Sequence, residues 1–242
     1  MVNHYHPGSM KKIRVIIIDD ERSARNEVAR LLENYPAFEV IGEAKNADDA
    51  KILIEQTQPD LLFLDIQMPG KSGFELLESL EKVPQVIFTT AFEQYAVKAF
   101  EISAIDYLMK PIREERFTRA VEQAKLRIAN YSGNDEKLFV KDGQQYHFIT
   151  WNKVYLIESM DNYARLYFDH KKVFLKSSLN QLENKLDEAV FSRMNRTQII
   201  NRHFIDKVST TLSGRLKITL KTGDVVEASE RQSVKFRHMG RK

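Results

Sequence analysis

The chain has 242 residues, 43% of them hydrophobic, and this length suggests one or two domains with cores of their own. It contains no Cys, which excludes disulfides, thiolate metal sites and cysteine nucleophiles. Residues 1–136 carry 17 basic and 23 acidic side chains, whereas residues 137–242 carry 20 and 11. An acidic half followed by a basic half suggests two domains with different partners, and nucleic acid is a candidate partner for the basic half.

The first residues and the hydropathy of the chain bear on its location. Residues 1–10 lack the apolar segment of a signal peptide, and we interpret them as a tag or leader outside the fold. No apolar run approaches the roughly 20 residues that a membrane-spanning helix requires. We therefore expect a cytoplasmic protein with no membrane partner.

Two buried strands are predicted to end on carboxylates. The β-branched run at residues 13–18 stops at Asp19 and Asp20, and the apolar run at residues 61–64 stops at Asp65. The carboxyl ends of neighbouring parallel strands meet in one crevice, where three acids repel one another unless a cation joins them. Oxygen ligands of this kind suit Mg²⁺. The sequence therefore predicts an acidic Mg²⁺ pocket for phosphoryl chemistry.

Strands and helices alternate five times in the first half, which predicts a doubly wound, five-stranded parallel sheet. In chain order the predicted elements are strand 13–18, helix 21–34, strand 38–41, a helix from residue 46 or 47 to Pro59, strand 61–64, a helix marked by residues 74–80, strand 86–89, helix 91–102, strand 104–108 and helix 112–131.

Three further polar side chains lie on or after the last two strands of this sheet. Lys110 either forms a structural ion pair with the acids or binds a phosphate group. Thr90 either donates its hydroxyl to the same phosphate or caps the next helix. Tyr107 lies within the fifth strand.

The set Asp19, Asp20, Asp65, Thr90, Tyr107 and Lys110-Pro111, with the turn Met68-Pro69-Gly70, resembles the receiver domain of bacterial response regulators. The resemblance extends over about residues 11–130, and we place the domain at 11–131. It implies that Asp65 accepts a phosphoryl group from a histidine kinase and that Lys110 contacts the phosphoryl oxygens. It also implies that Asp20, Asp65 and the backbone carbonyl of Gln67 hold Mg²⁺, that Asp19 acts largely through water, and that Thr90 and Tyr107 form a switch pair.

The second half differs in character. Residues 132–137 read as a polar linker, and residues 138–242 read as a mostly β domain without a helix-turn-helix pattern. The predicted strands are 138–141, 145–149, 154–158, 163–168, 172–176, 191–194, 204–209, 216–220 and 225–228, with a short helix at 178–186.

This half resembles the LytTR DNA-binding domain, most specifically over residues 196–201, which read Arg-Thr-Gln-Ile-Ile-Asn. Two positions depart from the family: Asn195 stands where His is usual, and Thr197 where Ser is usual. Near the C-terminus the family commonly has Ser-Arg, whereas this chain has Ser229-Glu230-Arg231. The resemblance implies that loops of this domain enter successive major grooves of double-stranded DNA.

Arg pairs with guanine and Asn with adenine, while Lys mostly contacts phosphate. On this basis the candidate DNA contacts are Asn162, Arg165, Lys176, Arg196, Asn201, Arg231 and Lys235. Two alternatives remain open. Asn201 could merely close the turn before Arg202, and Arg193 could merely pair with an acid in the sheet.

The sequence thus predicts a phosphorylation-switched transcriptional regulator of the LytTR class. We expect phosphorylated receivers to dimerise through the fourth predicted helix, the fifth strand and the last helix. One alternative is a signalling module whose basic half binds a protein or an acidic membrane surface. Another is an Mg²⁺-dependent hydrolase. Many such phosphatases need an acid two residues after the nucleophile, where this chain has Gln67, so we expect no enzyme beyond slow self-dephosphorylation.

Overall fold

The computed structural model describes residues 11–91, 104–130, 136–143 and 145–239. They group into two compact units. The first runs to Phe139 and includes Gln145–Phe148, and the second comprises the remaining described residues from Val140 onward. The predicted tag at 1–10, the fourth predicted helix at 91–102 beyond its first residue, and most of the linker at 132–137 lie outside the described residues. The predicted domain boundaries at 131 and 138 stay predictions.

The first unit contains the predicted parallel sheet. Its strands are β1 (Ile13–Ile18), β2 (Phe38–Ala44), β3 (Leu61–Asp65), β4 (Gln85–Thr90) and β5 (Asp106–Met109), in the order β2-β1-β3-β4-β5 with every pair parallel. This is the flavodoxin-like order of doubly wound folds. The described helices are α1 (Arg22–Leu32), α2 (Ala47–Thr57), α3 (Gly73–Glu78) and α4 (Glu114–Ala129).

Alternation along β1 explains why the sheet is covered on both faces. Ile16 and Ile18 pack into one apolar layer, and Val15 and Ile17 pack into the layer on the opposite face. A strand buried on both faces has to be apolar, which is why residues 15–18 are all aliphatic and the strand ends at the acids Asp19 and Asp20.

Helix α3 is shorter than predicted but has a well-defined start. The Ser72 hydroxyl accepts from the Glu75 backbone N–H, and the Glu75 carboxylate accepts from the Ser72 backbone N–H. Such a capping box satisfies two donors that the first helical turn leaves unpaired. The beginning of α3, directly after the loop that follows β3, is therefore fixed.

The rest of the chain is mostly β, as predicted. A hairpin of β6 (Lys137–Asp142) and β7 (Gln145–Thr150) turns at Gly143, which has a φ of +61°. A five-stranded sheet has the order β10-β9-β8-β12-β11, and a three-stranded sheet has the order β13-β14-β15. Their strands are β8 (Val154–Met160), β9 (Tyr163–Phe168), β10 (Lys171–Leu175), β11 (Phe191–Arg193), β12 (Gln198–Asn201), β13 (Ile205–Thr210), β14 (Leu216–Leu220) and β15 (Val225–Glu227).

Two helices complete the second unit: α5 (Leu179–Lys185) and α6 (Glu230–Met239). We did not predict α6 or β12. Strand β12 contains the buried pair Ile199 and Ile200, of which Ile200 packs with Leu156 and Ile218 in the core between the two sheets. Within the described residues, the helices are too short or too polar to cross a membrane.

Candidate functional site

The three predicted acids meet at the carboxyl edge of the parallel sheet. One carboxylate oxygen from each of Asp19, Asp20 and Asp65 lies within 4.8 Å of the others. Asp19 and Asp65 are buried, with 3% and 5% of their surface exposed, whereas Asp20 is exposed. Strands β1 and β3 are neighbours at the point where the strand order reverses, which is where doubly wound sheets bind their ligands.

Lys110 joins two of these acids. Its Nζ lies 2.7 Å from Oδ2 of Asp19 and 3.1 Å from Oδ2 of Asp65. Lys110 directly follows β5. Its backbone N–H donates to the Thr90 carbonyl at 2.8 Å, and this hydrogen bond holds the lysine backbone beside the end of β4. A cation held in this way offsets the repulsion between two buried carboxylates and can also bind phosphoryl oxygens.

Backbone groups orient the two buried carboxylates. The Glu21 N–H donates to Oδ1 of Asp19 at 3.0 Å, and the Gln67 N–H donates to Oδ1 of Asp65 at 3.3 Å. Each carboxylate thus has one oxygen on a backbone N–H and the other on Lys110. This arrangement holds Asp65 in one orientation, as an acceptor for a transferred group requires.

The loop after Asp65 is packed tightly against α3. The Gly73 N–H donates to the Ile66 carbonyl at 2.9 Å, and a Cβ atom at Gly73 would lie 2.4 Å from the Asp65 carbonyl oxygen. Only glycine permits this approach without a shift of the backbone. The position of the phosphoacceptor candidate therefore depends on the first turn of α3.

Burial and neighbouring charges shift the pKa values of both Asp65 and Lys110. Burial raises the pKa of Asp65; Lys110 opposes this rise and Asp19 adds to it. Burial alone would lower the pKa of Lys110, but its hydrogen bond to Asp19 and the charges of both acids outweigh burial and raise it. Lys110 is thus cationic at neutral pH, and the Asp65 carboxylate is more basic than an ordinary aspartate.

Thr90 and Tyr107 lie next to this pocket, and both are buried, with 0% and 8% of their surface exposed. Thr90 ends β4, and Tyr107 in β5 pairs with Phe88 of β4. The Tyr107 ring belongs to the same apolar layer as Phe88. The Tyr107 ring therefore points inward in this structure.

The donor set of the acidic cluster fits a hard divalent cation. Three carboxylates converge, two of them oriented by backbone N–H groups, and the third lies at the solvent-facing side. Mg²⁺ favours one or two carboxylates together with a carbonyl and water, and it keeps an open side for phosphate oxygens. The residues present thus satisfy the chemical requirement for the predicted ion.

In the second unit the structure brings most of the candidate DNA contacts to one region. The loop at residues 194–197 is linked to β8, because the Ser159 N–H donates to the Thr197 carbonyl at 2.8 Å. It is also linked to the start of α6, because the Ser229 N–H donates to the Met194 carbonyl at 2.8 Å. Four exposed candidates lie on or beside these connected segments: Asn162, Arg196, Arg231 and Lys235. Lys176, also exposed, follows β10, whose last residue pairs with Ala164 near the start of β9.

Two side chains that we did not select organise this loop. Arg193 donates to the carbonyls of Asn195 at 2.6 Å and Arg196 at 2.7 Å, and it pairs with Glu183 at 3.3 Å. Asn195 donates to the Glu227 carbonyl at 2.9 Å and accepts from the Thr197 N–H at 2.8 Å. Arg193 thus pairs with an acid, as the alternative predicted, but that acid lies on helix α5 and not in the sheet. Together, Arg193 and Asn195 hold the loop that carries the exposed Arg196.

Asn201 requires a correction, because the structure contradicts its assignment as a DNA contact. The residue ends β12 and is fully buried. Its Nδ2 donates to the Val154 carbonyl at 3.0 Å, and its Oδ1 accepts from the His203 N–H at 3.0 Å. Both side-chain groups are committed inside the fold, so Asn201 closes the turn before Arg202 and does not reach a base.

Arg165 is half-buried on β9. Its guanidinium lies 5.0 Å from the centre of the Phe174 ring, and its Nη1 donates to the Tyr167 hydroxyl at 3.3 Å. These contacts hold Arg165 against the sheet, so it is a weaker candidate for DNA than the exposed Arg196.

Two family models match the chain. The response regulator receiver domain matches residues 15–122, and the LytTr DNA-binding domain matches residues 144–241. The sensory transduction protein LytT of Enterococcus faecalis is 30% identical over 236 residues, which cover 93% of this chain and 98% of that protein. The transcriptional regulatory protein BtsR of Salmonella typhi is 33% identical over 234 residues, which cover 90% of this chain and 95% of that protein.

A solved structure is similar to the first half alone. The response regulatory domain of mrkE from Klebsiella pneumoniae matches with a TM-score of 0.45 and 29% identity, over 49% of this chain and 99% of that one.

Proposed function

This chain belongs to the response regulators that join a receiver domain to a LytTr DNA-binding domain, and we propose that Asp65 is the residue on which it is phosphorylated. It is a phosphorylation-dependent DNA-binding regulator, which works between a histidine kinase and DNA. The observation that supports Asp65 most strongly is its placement. It is buried at the strand-order switch point, beside two other acids, with Lys110 on one of its oxygens.

The transfer step uses the Asp65 carboxylate as nucleophile. One carboxylate oxygen forms a bond to phosphorus, the bond from phosphorus to the donor imidazole nitrogen breaks, and its electron pair stays on the nitrogen, which takes up a proton. Lys110 lies where it can bind the transferred oxygens, since it already contacts Oδ2 of Asp65. Because the phosphoryl group adds about two negative charges, the attraction between this group and the Lys110 cation stabilises the phosphorylated form.

We assign the divalent ion site to Asp20, Asp65 and the Gln67 carbonyl, with Asp19 acting through water. When bound there, Mg²⁺ neutralises the oxygens of the donor phosphoryl group and favours in-line attack. The protein residues supply the orientation: Gln67 donates its backbone N–H to Asp65, and Glu21 donates to Asp19.

Thr90 and Tyr107 make up the proposed switch. Thr90 ends the strand next to β3, so its hydroxyl is in reach of a group on Asp65 after a small movement. Such a movement changes the packing around Tyr107, which pairs with the same strand. The face that includes β5 then differs between the two states, and packed faces of this kind have discrete arrangements.

We propose double-stranded DNA contacts for Asn162, Lys176, Arg196, Arg231 and Lys235, with Arg165 in a lesser role. Their connected positions and exposure support this set. The LytTr match favours DNA over a protein or membrane partner for the basic half. Phosphorylated receivers would pair through β5, α4 and the fourth predicted helix, and the paired domains would bind repeated half-sites more tightly than single ones. We propose a cytoplasmic location, where the protein has access to DNA.

A labelling experiment tests the assignment of Asp65. The wild-type chain and Asp65→Asn are incubated with Mg²⁺ and acetyl phosphate, and incorporated phosphate is measured by intact mass. We expect one phosphoryl group on the wild type, lost slowly, and none on the variant. Equal labelling of the two chains would remove Asp65 from its role. Substantial turnover of added phosphate esters would contradict the view that this is not an enzyme.

DNA binding is tested separately. Random-sequence selection with the phosphorylated chain is followed by affinity measurements across a salt series. A repeated motif with an affinity that falls steeply with salt supports the DNA contacts. Weak binding that only follows charge would instead favour a protein or membrane partner for the basic half.

A further inference from the structure

The hairpin β6–β7 contributes aromatic side chains to the core of the first unit. Phe139, Tyr146 and Phe148 pack against the apolar layer that contains Phe74 of α3. The Tyr146 ring is stacked on the Phe74 ring with 4.7 Å between the centres, and the Phe139 ring is stacked on the Tyr146 ring at 5.2 Å. Phe148 lies 4.8 Å from Phe139 in the same cluster. We call these four rings the aromatic cluster.

Polar contacts fix the start of the hairpin to the same unit. The Lys137 Nζ donates to Oε1 of Gln85 at 2.8 Å, and the Val83 N–H donates to the Lys137 carbonyl at 3.3 Å. Lys82 forms an ion pair with Glu136. Gln85 begins β4, whose other end is Thr90, so the hairpin is attached to the strand that carries one of the switch residues.

Tyr146 also reaches the neighbourhood of the phosphorylation pocket. It lines an open cleft of about 670 Å³ together with Asp20, Gln67 and Glu75. Asp20 and the Gln67 carbonyl are proposed ion ligands. A side chain from a segment that follows the receiver match at 15–122 thus forms one wall beside that pocket.

A short covalent and hydrogen-bonded path joins Asp65 to this cluster. Gly73 approaches the Asp65 carbonyl and donates to Ile66, and Phe74 is the next residue. Both carboxylate oxygens of Asp65 are engaged, one by Lys110 and one by the Gln67 N–H. A phosphoryl group on either oxygen would compete with one of these contacts, and we expect this to shift the loop that Gly73 is packed against.

We infer that the Phe74 face of α3 is the surface through which the state of the Asp65 pocket is passed to the DNA-binding half, and that its partner is this chain's own hairpin β6–β7. Stacked rings tolerate little displacement, because close packing leaves few alternative arrangements. Movement of the loop after Asp65 therefore loosens the aromatic cluster and releases the hairpin, whose strand β7 leads directly into residues 151–239. The inference rests on the proposed role of Asp65.

The test uses the full chain and the variants Tyr146→Ala, Tyr146→Phe and Tyr163→Ala. Tyr146→Phe keeps the stacked ring, and Tyr163→Ala removes an exposed tyrosine of the other unit as a matched control. For each chain we measure the ratio of DNA Kd before and after acetyl phosphate treatment. Hydrogen exchange of residues 137–148 is measured with Mg²⁺, with and without beryllium fluoride as a phosphoryl mimic.

Coupling between two sites is typically about 5- to 150-fold. We therefore expect Tyr146→Ala to bind DNA more tightly without phosphorylation and to lower the Kd ratio by roughly fivefold or more. Tyr146→Phe and Tyr163→Ala should keep the wild-type ratio. Beryllium fluoride should speed exchange in the hairpin of the wild type, and Tyr146→Ala should exchange fast without it.

Two failures are distinguishable. If acetyl phosphate does not label Asp65 of the wild type, the proposed function fails and this inference fails with it. The second failure requires that the wild type is labelled and gains DNA affinity. If Tyr146→Ala then keeps the wild-type Kd ratio, or if beryllium fluoride does not change the rate of hydrogen exchange in the hairpin, the inference alone is overturned. A loss of stability in Tyr146→Ala with an unchanged ratio would mean a purely structural role.

Discussion

Replacement of Asn201 separates a role in stability from a role in DNA contact. In Asn201→Ala the Val154 carbonyl loses its donor and the His203 N–H loses its acceptor. An unpaired buried polar group costs about 1–3 kcal/mol, so the two together should lower the free energy of unfolding of this domain by about 2 kcal/mol or more. The variant should nevertheless bind DNA with wild-type affinity once it is folded.

The single tryptophan provides the assay. Trp151 lies in the second unit, where its ring meets Phe191 edge-on at 6.1 Å, so its fluorescence follows the unfolding of this unit. With a urea m-value of about 2 kcal/mol/M, the expected loss shifts the midpoint by about 1 M. Affinity is measured at low temperature without urea, where the variant is folded.

Asn162→Ala is the matched control, because Asn162 is exposed in the turn before β9. Its urea midpoint should lie within about 0.3 M of the wild-type midpoint. Its specific DNA binding should be weaker by about fivefold or more, as expected for the loss of one contact to a base. The reverse pattern, with Asn201→Ala stable but defective in binding and Asn162→Ala normal in both, would refute the reasoning from burial.

Three further substitutions test the two sites. Gly73→Ala should displace Asp65, since the new Cβ meets its carbonyl oxygen at 2.4 Å; acetyl phosphate labelling should slow by about tenfold, and an unchanged rate would contradict the close packing. Lys110→Met leaves Asp19 and Asp65 without their shared cation and should lower the free energy of unfolding of the receiver by about 3 kcal/mol, measured by circular dichroism. An unchanged free energy of unfolding would mean that the ion pairs of Lys110 do not stabilise the receiver. Arg196→Ala should weaken DNA binding by about 1–3 kcal/mol with an unchanged urea midpoint, whereas an effect below a factor of two would exclude it as a base contact.

The receiver half was largely predictable from sequence. Strands β1 and β3 are almost entirely apolar and buried, so Asp19 and Asp65 at their carboxyl ends, and Lys110 after β5, are conspicuous. The parallel topology then brings these ends together without further information. The length of β2 was underestimated, because Gly42 and Glu43 interrupt the apolar pattern while the backbone continues to pair with β1.

The second half was less predictable for physical reasons. Residues 198–201 form a core strand, yet Gln198 and Asn201 flank its two isoleucines and make it read as a polar loop. Helix α6 was missed because most of its residues are polar and it buries mainly Ser233 and part of Phe236. The roles of Arg193 and Asn195 depend on hydrogen bonds to backbone carbonyls, which a pattern of side chains does not reveal.

The aromatic cluster also affects how this protein is made in the cell. Phe74 is synthesised 72 residues before Tyr146, the ring stacked on it, so a nascent receiver cannot complete this part of its core until translation has passed Phe148. Until then an apolar face of α3 remains uncovered, and surfaces of this kind promote association between unfinished chains. Translation that stops after residue 131 would release such a chain. The hairpin therefore completes the apolar core of the unit that precedes it in the chain.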